Sequence, residues 1–167
     1  DEVQTDWVLD YEINSRGIAI DTDLVNGALA IDAEHKEELT ARAVEITGLA
    51  NPNSRAQLLA WLNENTSLDL PDLTKATVAA NLNVDDKTAA EILDLRRELS
   101  KSSVSKYKAM ATAVCSDGRV RGLLQYYGAS RTGRWAGRLV QVQNLPRNYI
   151  ENLDTARDLV KKHNSQG

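Results

Sequence analysis

DTDLVNGALAIDAEHKEELTARAVEITG, residues 21–48, decides how this chain folds. Asp21 or Thr22 caps the start, and Leu24, Ala28, Ile31, Leu39 and Ile46 recur at helical spacing. Gly48 ends the pattern. A helix of about 26 residues spans roughly 39 Å, which is long for a small domain. His35 falls on the stripe between Ile31 and Leu39 and reads as a partly buried structural histidine. A second long segment answers the first: Asp85 or Asp86 starts a helix expected to run to about Val114 and to match it in length. On that wheel Ile92, Leu95, Leu99, Met110 and Val114 cluster on one side. Arg97, Lys101 and Lys108 gather on the other as a cationic rail. The expected architecture is α+β, mainly α, with a long antiparallel helical hairpin and a small antiparallel β element.

Shorter elements fill the space around the hairpin. Trp7 to Ile13 reads as a short amphipathic segment stopped at Asn14–Gly17, and Ile18 to Ile20 as extended chain. Ser54 caps a helix carrying Leu58, Leu59, Trp61 and Leu62, and Thr74 opens another to about Asn81. The character changes at the turn dipeptide Asp117-Gly118, after which Arg119 to Tyr127 is strand-like and Arg138 to Val142 forms a second extended segment. A last helix begins at Asn152 or Asp154, and its polar tail through Gly167 is expected to fray. The expected division is residues 1–116, helical, and 117–167, the β element with a short helix.

The 167 residues are 42% hydrophobic and carry a net charge of −4. That supports one domain with a modest core, or two small lobes. No apolar run reaches the ~20 residues of a membrane span, and the acidic start lacks the features of a signal peptide. The chain reads as cytoplasmic. Cys115 is the lone cysteine and His35 and His163 the only histidines, so neither a disulfide nor a zinc site is expected. The chain starts at Asp1 and its sole methionine is Met110, which reads as a piece of something longer or a processed product.

The charge is unevenly spread. Residues 1–95 hold 6 basic and 19 acidic residues, 96–147 hold 11 and 2, and 148–167 hold 3 and 3. A block of +9 inside an acidic protein is either a surface for a polyanion, most commonly nucleic acid, or a solvated helix face. The stretch RTGRWAGRLVQVQNLPR, residues 131–147, adds detail. Its glycines allow close backbone approach, and its arginines offer forked donors to phosphate or minor-groove acceptors. Its amides at Gln141, Gln143 and Asn144 can reach the N3 and O2 atoms that every base pair displays. Gln141 and Gln143, alternating with Val140 and Val142 on a strand, would face one groove together. Such a surface suits sequence-independent duplex binding.

Thr132-Gly133-Arg134, eight residues, then Gln143-Asn144-Leu145-Pro146 resembles the TGR and QNIP elements of family A, DNA polymerase I-like, DNA polymerases. Gly118-Arg119-Val120 is similar to that family's GRV strand, and Arg97-Glu98-Leu99-Ser100-Lys101 to its RxLxK stretch on the thumb helix. Asn14 to Asp21 looks like the segment leading into the thumb, and Ala50 to Leu58 like the FNxxSPxQL helix start. The resemblance covers nearly the whole chain and is strongest from Arg96 to Arg147.

It implies a fragment holding the thumb and the start of the palm, which binds primer–template DNA for template-directed nucleotide addition by the parent nucleotidyltransferase in DNA replication. Arg134 matches the arginine at the primer-terminal minor groove, and Gln141, Gln143 and Asn144 match amides near the duplex. Lys101 matches the thumb lysine on the DNA side, and Arg97, Lys108, Arg131 and Arg138 complete the expected DNA-facing set. Trp135, Ala136 and Gly137 replace the family's Leu-Ser-Ser, which puts any contact made by those serines in doubt. The extra Arg138 resembles the phage or prophage branch.

The parent would use Mg²⁺ and deoxynucleoside triphosphates through carboxylates that follow the QNIP element, so no catalytic or metal residue is expected within this chain. Glu37-Glu38 and Asp85-Asp86 read as a solvated face and a helix start. Two rivals stand beside this reading. One is a non-catalytic nucleic-acid-binding protein using the same basic face. The other is a protein-interaction module built on the acidic hairpin.

Overall fold

The computed structural model describes residues 2–145 and 149–164. Pro146 and Arg147, which close the QNIP-like stretch, and the polar tail 165–167 lie outside them. The elements in chain order are α1 (Glu2–Arg16), β1 (Ile18–Ala19), α2 (Thr22–Thr47), α3 (Arg55–Asn65), α4 (Lys75–Ala80), α5 (Lys87–Leu99) and α6 (Ser105–Ala113). Then come β2 (Arg119–Val120), β3 (Leu124–Ala129), β4 (Arg134–Gly137), a 3₁₀ turn (Val142–Asn144) and α7 (Leu153–Asn164). The fold is α+β and mainly α, with two antiparallel two-stranded sheets, β1 with β2 and β3 with β4.

The chain forms two compact units, residues 32–102 and residues 1–31 with 103–167. In the first, Leu58 and Leu62 on α3, Val78 on α4 and Ala89, Ile92, Leu93 and Leu95 on α5 pack with Ala43 of α2 and with Leu70 and Leu73 of the α3–α4 connection. Leu62, Ile92 and Leu93 are fully buried, each contributing about 1.5–3 kcal/mol by leaving water. The connection is fixed by Asn63, whose amide donates to the Leu70 carbonyl at 2.9 Å and accepts from its N–H at 2.8 Å. Thr74 caps α4, and Asp86 caps α5 by accepting from the N–H groups of Thr88 and Ala89.

The second unit is built on Val25 of α2, Met110 of α6, and Val120, Leu123 and Val140. Residue 27 of α2 is a glycine because α7 crosses there: a Cβ would overlap the carbonyl oxygen of Val160. Beside that crossing Lys161 pairs with Asp21 at 2.6 Å.

α2 occupies 26 residues, the length its stripe and breakers imply. Its buried positions are Val25, Gly27, Ala43 and Thr47, while Ile31 and His35 are exposed. The expectation of a partly buried His35 is therefore corrected.

The second long helix is also corrected. It is broken between Leu99 and Ser105 into α5, of 13 residues, and α6, of 9. Ser100 donates its hydroxyl to the Arg97 carbonyl, and the Lys101 N–H turns back to Glu98. Ser100 thus satisfies the chain locally where a helix needs its backbone bonds. The single second helix of the expected hairpin is therefore replaced by two helices, one in each compact unit. At the other end α1 exceeds the short segment expected of it, running 15 residues. No helix among the described residues is long and apolar enough to cross a membrane.

Candidate nucleic-acid interface

The β3–β4 hairpin and the segment that follows it to Asn144 carry six of the nine expected contact residues, and α1 holds the hairpin in place. Asn14 donates to the Leu124 carbonyl at 2.9 Å and accepts from the Leu124 N–H at 3.0 Å. Asp10 accepts from the Tyr126 N–H at 3.0 Å. Two side chains of α1 therefore satisfy the β3 edge as a third strand would.

Two arginines of the basic block are spent on the same task. Arg119 donates to the carbonyls of Arg16 and Gly17, and Arg121 to that of Ser15, so both cap the carbonyl end of α1. Arg121 also grips Asp117 through two bonds of 2.9 and 2.6 Å. That guanidinium holds the Asp117 carboxyl down at about 2. The sequence count of cations therefore overstates the charge free to meet a polyanion.

At the hairpin tip the chain turns through residues 130–133, with the N–H groups of Thr132 and Gly133 both reaching the Ala129 carbonyl. Gly133 takes φ +65, a conformation glycine adopts without strain. Arg131 sits in this turn and Arg134 opens β4, and both are exposed. Neither has an acidic partner among the described residues. Gly137 ends β4, about 10 Å further along at strand rise. Arg138 follows, its N–H bonded to the Leu123 carbonyl at 2.8 Å.

The guanidinium of Arg138 donates through Nε at 2.7 Å and through Nη2 to one acceptor, the side-chain oxygen of Gln125. Three of its five donor hydrogens stay available. Gln125 was not singled out from the sequence. Its link to residue 138 runs diagonally across the strand pair, and only the register, Gln125 opposite Ala136, reveals it.

The amides depart from the expected strand. After Arg138 the chain turns, with Leu139 and Gln141 both left-handed at φ 54 and 51, and Val142–Asn144 coils into a 3₁₀ turn. The cause is Val140, only 1% exposed, which the turn drives into the core beside Val120 and Leu123. Gln141 and Gln143 are thus not alternate residues of one strand. Instead Asn144 approaches Gln141 at 3.4 Å, and the Gln143 amide lies directly over Gly137, where a Cβ would overlap it. This is a physical use for a glycine at position 137. Lys106 of α6 donates to the Val140 carbonyl at 2.7 Å and pins the turn. Lys108, two residues on, is exposed on another face of α6.

The remaining two expected contacts belong to the other compact unit. Arg97 on α5 pairs with Asp94 at 2.5 Å and with Glu98 at 3.3 Å, and Lys101, just past α5, pairs with Glu98 at 2.6 Å. These cations hold the Glu98 carboxyl below its usual range, Lys101 most strongly. The pairs are exposed, so salt screens them and a phosphate can replace the carboxylate. Because α5 and α6 are separate helices, Arg97, Lys101 and Lys108 do not form the continuous helical rail expected of them. As for a metal, the described residues contain no group of three or more His, Cys, Asp or Glu able to hold one. They do not fit a Mg²⁺ site, and no metal-dependent step is assigned to them.

Over 156 residues the chain is 57% identical to the DNA polymerase of Bacillus phage SP02. The match covers 93% of this chain and 24% of that relative, so the chain spans about a quarter of the protein it matches. No family model matches the sequence. No solved structure matches it either.

Proposed function

We propose that this chain is the part of a DNA-directed DNA polymerase, of the family A type and its phage-like branch, that grips primer–template DNA behind the site of nucleotide addition. The observation that carries the reading is the 57% identity with a phage DNA polymerase across 93% of the chain; beside it stand Arg131 and Arg134, exposed and without an acidic partner among the described residues. In this reading Arg134 takes minor-groove acceptors near the primer terminus, and Arg131 and Arg138 take phosphates. Gln141, Gln143 and Asn144 offer amides to the duplex, and Lys101, Arg97 and Lys108 neutralise phosphates further along it.

Residues 1–116 then serve as a thumb-like region and 117–167 as the start of the palm. These are functional parts, and neither coincides with a compact unit. Deoxynucleoside triphosphates and Mg²⁺ belong to the longer protein, where the metal supplies charge stabilisation and an activated 3′ hydroxyl. The polymerase works where the DNA is, in the cytoplasm of a bacterial cell.

The test is binding of a labelled primer–template to this chain across a salt series. Neutralising about 4 phosphates gives a slope of log affinity against log salt near −3.6, at ~0.9 per phosphate. A flat salt response refutes the reading. The rival, a non-catalytic nucleic-acid-binding protein, shows the same slope. It differs in that Arg134→Ala in the longer gene product leaves primer extension untouched.

A further inference from the structure

Three non-glycine residues among those described have left-handed backbone, and all lie close together in sequence: Tyr127 at φ 53, Leu139 at 54 and Gln141 at 51. Leu139 and Gln141 are accounted for by the turn that buries Val140. Tyr127 has no such account. Between the paired positions Gln125↔Ala136 and Ala129↔Arg134, residues 126–128 of β3 face only residue 135 of β4. The excess forms a bulge, and bulges re-aim side chains. Its middle residue is an aromatic in a conformation that favours glycine or asparagine.

What the bulge achieves is visible in the neighbouring rings. Tyr126 goes to the α1 side, where burial and Asp6 push its hydroxyl pKa up. It packs edge-on against half-buried Trp135 with centroids 5.6 Å apart. Tyr127 instead stays 59% exposed. One edge of its ring rests on the hairpin turn, where a Cβ on Gly133 would lie 2.8 Å from Cε2 and 3.3 Å from Cζ. The ring is thus seated against the residue that precedes Arg134, two positions from Arg131, and those guanidiniums are unpaired among the described residues. A strained backbone that only packed the fold would cover its ring. This one displays it.

We infer that Tyr127 is a nucleotide-contacting residue. Its ring offers an apolar face to a deoxyribose or base of the strand whose phosphates and groove Arg131 and Arg134 hold. The inference rests on the proposed DNA-binding role. Aromatic rings beside a cationic surface are the general means of holding nucleotides without reading sequence, and a tyrosine contributes such a contact without adding charge.

The experiment uses this chain and fluorescein-labelled DNA in a potassium chloride series, with Tyr127→Gly, Tyr127→Phe, Tyr127→Asn and Arg134→Ala. Glycine and asparagine tolerate the left-handed backbone, so both variants are expected to melt no lower than the parent. Both are expected to bind about tenfold more weakly, with the salt slope unchanged because no phosphate contact is lost. Tyr127→Phe keeps the ring and binds within about twofold of the parent, a small part of the stacking contribution. Arg134→Ala, which removes a groove contact and not a phosphate contact, weakens binding and leaves the slope unchanged. A loss on fully paired duplex assigns the ring to a sugar, and a loss confined to DNA with a single-stranded overhang assigns it to a base.

Unchanged affinity in Tyr127→Gly overturns the inference, as does a loss that appears only with a lowered melting temperature in both the glycine and asparagine variants. If the unaltered chain shows no salt-dependent affinity for DNA, the proposed function falls and the inference with it. If the chain binds and Tyr127→Gly is silent, the inference alone falls.

Discussion

Replacing Gly27 by alanine sets two effects of opposite sign against each other. Gly27 lies within α2, so helix propensity alone favours alanine by about 1 kcal/mol. Against that, the new Cβ would overlap the carbonyl oxygen of Val160 and stand 2.9 Å from its carbonyl carbon and 3.1 Å from Cγ1. Carbon contacts are comfortable at about 3.5–4.0 Å. Two of the three obstructing atoms are backbone and cannot swing aside, so α7 must withdraw by on the order of 1 Å.

Overpacking of this kind costs about 1–3 kcal/mol, and a backbone obstruction lies toward the upper end. The net effect is a loss of about 1–2 kcal/mol in the docking of α7, an opening equilibrium about 5–30-fold more populated. Native-state amide exchange along α7 reads this directly, because it resolves local opening from global unfolding. The Asp21 carboxyl supplies a second reading. Lys161 first, then the Leu24 N–H, holds it below its usual range, so withdrawal of α7 moves it upward in a carboxyl titration. Asn26→Ala, on an exposed position of the same helix, controls for propensity. If Gly27→Ala leaves α7 protection equal or higher, with Asp21 unmoved, the packing argument is wrong.

The other expectations concern the candidate interface and the turn beneath it. Glu98→Gln frees Lys101 from its carboxylate while Arg97 keeps Asp94 and should raise DNA affinity at low salt, whereas Lys101→Ala should flatten the salt slope by ~0.9; anisotropy titrations check both. Gly137→Ala should displace the Gln143 amide while shifting stability by about 0.5 kcal/mol or less, and its effect on primer binding should not add to that of Gln143→Ala. Asp117 is held at about 2 by Arg121. A carboxyl with its folded pKa below its unfolded value contributes stability that is complete above about pH 4 and lost as pH falls toward 2. Urea midpoints between pH 5 and 2, run for the parent and Asp117→Asn, should show that part of the acid-limb loss only in the parent.

α2 shows what local chemistry can specify unaided. Its cap, apolar spacing and terminal glycine are all contained within the helix, so its span was legible as 26 residues before any packing was known. The cap at Thr74 was legible for the same reason, and that of α5 to within one residue, Asp85 or Asp86, as was the turn at Asp117-Gly118. The α5–α6 break was harder. Apolar spacing continued across Ser100–Val104, and the competition of the Ser100 hydroxyl for a backbone carbonyl outweighed it.

In the candidate site, residue types and order along 131–144 were open to reading, because forked cations, amides and glycines carry their chemistry wherever they are placed. Which charges are free was not open. Arg119 and Arg121 look the same in sequence as Arg131 and Arg134, yet the first two cap a helix more than 100 residues away and the others have no partner among the described residues.

The strand expected at 138–142 was lost to Val140. A core position for one valine obliged its neighbours Leu139 and Gln141 to turn left-handed, and that demand comes from Val120, Leu123 and Met110 rather than from the segment itself. The sequence by itself determined short-range matters: caps, turns, helix span and the kind of contact each side chain can offer. Only the tertiary structure decided which cations are spent on carbonyls, which amide lies on which glycine and which tyrosine is displayed. Those outcomes depend on atoms brought together from distant parts of the chain, and no local pattern encodes their meeting.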